Sequence, residues 1–454
     1  MPSYTTVSLH DDHSRLPQDF IARMQEDLGE EAGAFLESLK EEAVTSLRVN
    51  PLKVSGEEDA VEHFRKVAPF STLEPVSWEK NGFYYKEPDQ PGKHPMHEAG
   101  VYYIQEASAM LPVTLLAPAP GERILDLCAA PGGKTTQIAA AMEDQGLLVT
   151  NEVNGERARI LAENVERMGI GNALVLNESV QHLSAAFPSC FDRILVDAPC
   201  SGEGMFRKNA LACDEWSLAA TAECALRQRE ILDHASVMLR PGGRLVYSTC
   251  TFAKAEDEEC MDRFLDEHPE FTLVSRHRIW PHKERGEGHF AAVLVKSGDA
   301  QPAPFRKDKL TSVTDKKLES FREFWEGNVR LPMPEQVLLF GDQVYRTPAE
   351  MPSLHGLKVL RGGLHLGTLK KNRFEPSHAL GLYLKPEDAV HVADLTDREN
   401  ELTAYLNGMT LNLEGDKGWY LVVCNGYSFG WGKLAGSVLK NHYPIGLRKY
   451  WMAD

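Results

Sequence analysis

RILDLCAAPGGKT, residues 123–135, decides the fold of this chain. The apolar run at its start predicts a strand buried on both faces. The small residues and glycines that follow let backbone approach a ligand closely. The segment after Lys134 predicts a helix. The loop is not the GxGxxG of dinucleotide sites, and it lacks the upstream glycine of a nucleoside triphosphate loop. It therefore fits neither of those ligands best.

The same alternation continues on both sides of this loop. LLVTNE (147–152), ALVLN (173–177), RILVDA (193–198) and RLVYST (244–249) predict further buried strands. Between them lie helical segments such as 155–168, where Ile160, Leu161, Asn164, Val165 and Met168 recur near helical spacing. Strands alternating with helices predict a doubly wound α/β sheet, whose ligands bind at the carboxyl ends of the strands. Glu152 ends the second strand, where a carboxylate can accept both hydroxyls of a ribose. With Asp126 and the open backbone of the loop, it suits S-adenosylmethionine, which presents a ribose, an adenine, an amino acid and a sulfonium.

Two cysteines fall just past strands that should lie side by side. One is in Asp197-Ala198-Pro199-Cys200-Ser201-Gly202, the other in Tyr247-Ser248-Thr249-Cys250-Thr251. A free cysteine is more often a buried apolar thiol, but polar, turn-forming flanks place these two at a cleft. Carbon 5 of cytosine is a poor nucleophile, and its methylation needs a thiolate added first at carbon 6. Two thiols and a carboxylate, Asp197, meet that demand, with Asp197 holding or protonating the base at N3. The chemistry alone does not choose which cysteine attacks. Cys190, Cys213, Cys224, Cys260 and Cys424, and the thiol of Cys128, read as structural.

With 454 residues the chain exceeds one ordinary core. Hydrophobic residues make up 43% and charged residues 25%, as in globular proteins. No apolar run reaches membrane length, and MPSYTTVSLHDDH lacks the basic and apolar regions of a signal peptide, so a cytoplasmic protein is expected. Eight scattered cysteines with no CxxC pair argue against a disulfide framework or a metal site. The net charge of −17 opposes uniform coating of nucleic acid but permits a local basic face. Two stretches supply one: five basic residues against one acid from Lys358 to Glu375, and four with no acid from Lys433 to Lys449.

Residues 17–44 read as helical, SLRVNPLK as extended, and EPDQPGKHP (87–95) as a loop. The polar stretch 297–309 reads as a linker, followed by a helix at 315–326 and short strands to the end. This gives an N-terminal RNA-binding or extension domain at 1–99, a catalytic domain at 100–297, a linker at 298–314, a connecting domain at 315–384 and a final module at 385–454.

LRVNPLK (47–53), YIQEASAM (103–110), DLCAAPGGKT (126–135), DAPCSGEGMFRK (197–208) and YSTCT (247–251) together resemble the RNA 5-methylcytosine methyltransferases of the NOL1/NOP2/Sun family. The resemblance covers about residues 40–297. It implies a Rossmann-like methyltransferase core that uses S-adenosylmethionine and acts on RNA. It implies that Cys250 attacks carbon 6, that Cys200 helps release the product, and that Asp197 engages the base, with Lys134 also in the active site. It further implies a cofactor site formed by Cys128, Ala129, Ala130, Pro131, Gly132, Gly133, Lys134, Glu152, Arg157 and Asp197. The family's adenine-binding aspartate is replaced here by Ser179, so Asn177 or Ser179 is the expected substitute. After the nucleophile, Glu256-Asp257-Glu258 departs from the family's Glu-Asn-Glu and reads as a helix start.

The tail WGKLAGSVLKNHYPIGLRK (431–449) resembles the PUA-like RNA-binding module of the family's RsmF/YebU-type branch, which acts on the decoding region of 16S rRNA. The expected substrate is therefore 16S rRNA or the 30S subunit, met by a monomer. Arg48, Asn50, Lys208, Lys433, Lys440, Arg448 and Lys449 are the expected RNA contacts. The competing readings are a tRNA cytosine methyltransferase and a non-catalytic ribosome-assembly factor. The pair Cys200 and Cys250 opposes the second of these.

Overall fold

A computed structural model describes residues 16–54, 59–449 and 451. The N-terminal stretch that carries the signal-peptide reading lies outside these residues. Among the described residues no helix is long and apolar enough to cross a membrane.

Eight strands form the central sheet: β1 (Arg123–Asp126), β2 (Leu147–Asn151), β3 (Ala173–Leu176), β4 (Phe191–Asp197), β5 (Leu239–Thr249), β6 (Phe271–Ile279), β7 (His289–Lys296) and β8 (Val359–Gly362). Their order is β6-β7-β5-β4-β1-β2-β3-β8. Strands β1 to β5 run parallel, whereas β7 is antiparallel to both β5 and β6. Each parallel strand carries an apolar run where both faces are covered. Leu125, Val149 and Ile194 pack into one core, Ile124, Leu148 and Leu195 into the other. Strand β8 comes from beyond the linker and pairs antiparallel with β3, so the catalytic sheet is completed by the C-terminal half.

Register then places the chemistry. Asp126 of β1 lies opposite Leu195 of β4, and Asp197 of β4 lies opposite Ser248 of β5. Strand order reverses at β1, the switch point where open α/β sheets bind ligands. The turns carrying Cys200 and Cys250 leave adjacent strands at that same edge. Helix α1 (Gly133–Ala141) follows the β1 loop. Helix α2 (Gly155–Arg167) follows β2 and is capped by the Asn154 side chain, which accepts from the backbone N–H groups of Glu156 and Arg157. A helix does begin at Glu258, as the acidic run predicts.

A four-stranded N-terminal sheet includes Ser46–Val49 and Tyr102–Ile104. Two five-stranded sheets make up the rest of the C-terminal half. The last of them does not bury a core alone. Val422, Leu434 and Tyr405 share one apolar cluster with Leu47, Phe83 and Tyr102 of the N-terminal sheet. The two ends of the chain thus stabilise each other.

Candidate active site

The β1 loop opens a cleft of roughly 600 Å³. It is lined by Asp126, Cys128 to Pro131, Gly133, Lys134 and Asp197, together with Tyr103, Ile104 and Gln105 of the N-terminal sheet. Gly132 has φ +114°, and a Cβ there would come within 3.2 Å of the Leu161 side chain on α2. The loop can therefore lie flat on α2 only with glycine at this position. Ala129 N–H is used by the carbonyl of Asn151.

Asp126 is fully buried. Thr135 Oγ1 donates to its Oδ2 at 2.6 Å, while Oδ1 is buried with no partner. Burial pushes the carboxyl up to about 7, against the opposing hydrogen bond from Thr135. A buried orphan oxygen costs free energy unless something donates to it. Burial also pushes the Cys128 thiol up, which disfavours its thiolate.

Glu152 is buried at the end of β2. It accepts from Asn154 N–H at 2.9 Å and pairs with Arg157 at 3.3 Å. Arg157 also donates to the carbonyl of Ala130 at 2.7 Å, so it ties Glu152 to the loop. Asn177 donates to the carbonyls of Glu152 and Val153. Ser179 caps the helix Val180–Ala186 by accepting from His182 N–H. Both expected substitutes for the adenine contact are thus engaged with backbone.

Cys200 and Cys250 stand with their sulfurs 3.4 Å apart, both half-buried. The Cys200 turn is braced by Glu256, which is fully buried. It accepts from Ser201 N–H at 3.0 Å and from Gln228 Nε2 at 2.8 Å. Gln228 also donates to the carbonyl of Pro199. Asp257 does not cap the helix at Glu258. It accepts from Thr249 and Arg278 instead. The Cys250 turn is held by Gly204 N–H donating to its carbonyl at 2.9 Å. Contact with Cys250, and then burial, push the Cys200 thiol well above its ordinary range.

Asp197 sits between the cysteines and the cofactor loop. Lys134 Nζ lies 2.8 Å from its Oδ2, and Ser248 Oγ donates to its Oδ1 at 2.7 Å. His289 Nε2 is 3.7 Å from the same Oδ1. Burial alone would raise this carboxyl. The charge of Lys134 and the approach of His289 outweigh it and hold Asp197 below the usual carboxylate range. Local sequence does not single out His289. It opens an apolar strand, and only the antiparallel register of β7 on β5 brings it to Asp197.

The expected RNA contacts divide. Arg48 is 1% exposed. It donates to Gln105, to the carbonyl of Gly133 at 3.0 Å and to Thr136 Oγ1 at 2.6 Å. Burial lowers it to about 10. Arg48 therefore props α1 and the cofactor loop from behind and cannot reach a phosphate. Asn50 is also buried and donates to the carbonyls of Gly100 and Met168. It joins the N-terminal sheet to α2 and is likewise no RNA contact. Arg448 is half-buried and donates to the carbonyl of Tyr443. Lys449 is paired with Glu98. Lys208 and Lys440 are exposed. Lys440 lies cross-strand from Lys433, whose ammonium sits 4.9 Å from the centre of the Trp419 ring. In the first basic stretch, Arg361 is buried against Glu166.

A parallel sheet with its switch point at a small-residue loop, acids at the ends of β1, β2 and β4, and a cleft lined by the first and last of these acids define an S-adenosylmethionine-dependent methyltransferase. Four family models match the chain in succession. They are the N-terminal domain of 16S rRNA methyltransferase RsmF over residues 16–107, the 16S rRNA methyltransferase RsmB/F over 113–295, the first C-terminal domain of RsmF over 323–384, and the RsmF PUA domain over 393–449. Ribosomal RNA small subunit methyltransferase F of Enterobacter sp. (strain 638) is 33% identical and aligns over 94% of this chain and 95% of its own length. The chain belongs to this RsmF family of 16S rRNA methyltransferases. Among solved structures, a methyltransferase homolog protein from Pyrococcus horikoshii is 29% identical with TM-score 0.55, covering 63% of this chain and 100% of that one. NSun6 from Pyrococcus horikoshii with SFG shares the fold at TM-score 0.55 and 22% identity, covering 62% of this chain and 99% of that one.

Proposed function

We propose that the chain methylates carbon 5 of a cytosine in 16S rRNA through a covalent adduct between Cys250 and carbon 6 of the base. The observation that carries this reading is the pair of sulfurs 3.4 Å apart beside Asp197 at the cofactor edge of the sheet. The relatives' names support small-subunit RNA as the substrate. Bound S-adenosylmethionine supplies an electrophilic methyl group. Asp126, Glu152 and the backbone of 128–134 would hold it, with Arg157 bracing Glu152.

The rest of the chemistry belongs to side chains. Cys250 attacks as thiolate, forming the S–C6 bond and placing the electron pair on carbon 5. Cys200 keeps its proton, so it is a hydrogen-bond donor to the Cys250 sulfur. That donor steadies Cys250 as a leaving thiolate once carbon 5 has taken the methyl and passed its proton to solvent water, the C5–H pair reforming the C5–C6 double bond as the S–C6 bond breaks. Asp197 stays ionised, so it accepts from the base's amino edge and does not protonate N3. Lys134 holds Asp197 in place. A cytosine in a helical stack cannot be reached at carbon 6, so the target is single-stranded or flipped out.

In this reading the N-terminal sheet braces the cofactor loop, 100–297 with β8 perform catalysis, and the C-terminal sheets present RNA-binding surface. Lys208, Lys433 and Lys440 contact phosphates. The enzyme acts in the cytoplasm as a monomer, on free 16S rRNA or the 30S subunit. Bisulfite sequencing of 16S rRNA and tRNA from a strain lacking the protein tests the reading. A 5-methylcytosine missing from 16S rRNA is expected. Its loss only from tRNA, or no loss at all, overturns the assignment.

A further inference from the structure

His289 is 3% exposed, and its Nε2 is buried with no hydrogen-bond partner. Leaving such a group unpaired costs free energy. The rest of β7 carries apolar side chains inward, among them Phe290, Ala292 and Leu294. Packing alone therefore gives no reason for an imidazole here. The chain also makes a concession to place it. Gly288 has φ +113°, and a Cβ there would come within 2.3 Å of the Phe252 ring, just past Cys250. Glycine at 288 lets the start of β7 press against the Cys250 turn.

What the imidazole faces is Asp197. Ser248 already donates to Oδ1 and Lys134 to Oδ2, so the carboxylate is fixed from two sides. The remaining approach to Oδ1 is from His289, 3.7 Å away. That gap is longer than a hydrogen bond, and catalytic hydrogen bonds commonly tighten only once the substrate is seated.

We propose that His289 is a positioning residue for methyl transfer: its neutral imidazole closes on Asp197 Oδ1 when the cytosine is seated and aims the carboxylate at the base, and in acid its protonated form pairs with Asp197 and draws it away. This rests on the cytosine reading above. The charged and titratable groups facing the ring are Lys134, Asp197 and Glu106. Burial and then Lys134 favour the neutral ring, and outweigh Asp197 and Glu106, which favour the charged one. The ring is therefore neutral at neutral pH, and its protonation on acidification adds one proton-dependent step to the acid side of the rate profile.

The test compares the full-length wild type, His289→Phe and His289→Gln on unmodified 16S rRNA, with kcat and KM measured from about pH 5 to about pH 9. His289→Phe should lower kcat about tenfold or more with little change in the KM for S-adenosylmethionine. His289→Gln restores a donor but cannot titrate. It should recover part of that loss and flatten the acid limb. An acid limb in His289→Gln that superimposes on the wild type overturns the proposal, as does a His289→Phe variant within about twofold of wild-type kcat. Wild type that yields no 5-methylcytosine, or Cys200→Ala that yields no Cys250 adduct, instead overturns the underlying reading, whatever the His289 variants do.

Discussion

The carboxyl edge of the central sheet and the basic stretches of the C-terminal half are both dense in suggestive residues, and the fold treats them in opposite ways. At the sheet edge, Asp126, Lys134, Asp197, Cys200 and Cys250 converge because parallel strands in register leave their following turns nowhere else to go. In the basic stretches, Arg361 turns inward to Glu166 and Lys449 pairs with Glu98, while Lys433 lies half-buried beside Trp419 and Lys440 stays exposed. Backbone topology fixes where a turn residue sits. A run of charge fixes nothing about where each charge points.

The largest expected effect strikes the sheet edge. Cys250→Ala should abolish methyl transfer and any covalent RNA complex on a denaturing gel. Cys200→Ala should let that complex accumulate, because the donor to the leaving sulfur is gone. An active Cys250→Ala, or no adduct from Cys200→Ala, breaks the convergence argument at its centre.

Next comes Arg48, a basic residue in a motif that belongs with the buried set. Arg48→Ala strands Gln105 and Thr136 and should cost about 2–4 kcal/mol of stability. Thermal unfolding should show this, with weakened cofactor binding. The slope of RNA affinity against salt should not move, since Arg48 neutralises no phosphate. A reduced slope would return Arg48 to the RNA face.

The cross-strand pair Lys433 and Lys440 should behave in reverse. Replacing Lys433 and Lys440 together by alanine should reduce that salt slope by about one unit for each phosphate no longer neutralised. Stability should fall by no more than about 1 kcal/mol, the loss of the Lys433–Trp419 contact. Point substitutions are the right tool, because removing 385–454 would uncover the apolar cluster shared with Leu47 and Tyr102.

The smallest effect is a pH dependence. Burial pushes Glu98 up, but hydrogen bonds from His97 and Lys449 outweigh it and hold the carboxyl at about 2, against 4.5 for an ordinary glutamate. A carboxyl depressed on folding contributes stability above its unfolded value and loses it as pH falls toward the folded one. Denaturant titrations should show this loss between about pH 4.5 and about pH 2 in wild type and a smaller loss in Lys449→Ala. Equal losses would make Lys449 free for RNA after all.

Much of this was legible in the sequence for physical reasons that can be named. The central strands read correctly because burial on both faces gives each an apolar run, and the place of the two cysteines at the sheet edge was legible because polar turns follow such strands. His289 was not legible, because its role depends on a long-range antiparallel pairing. Nor was β8, a short run in a segment that otherwise builds a different sheet. Arg48 and Asn50 stand out in the sequence as polar, yet only the packing of Ser46–Val49 against α1 and α2 shows that they face inward.

Strand β8 also bears on how the protein is made. Until residues 359–362 leave the ribosome, β3 presents an unpaired edge, a template for joining another unfinished chain. The apolar side chains around Leu47 and Tyr102 wait longer still, for partners near residue 434. The first strands synthesised are thus among the last to be sheltered. A catalytic fragment ending near 297 should accordingly tend to aggregate on expression, even though every residue assigned to the chemistry is present in it.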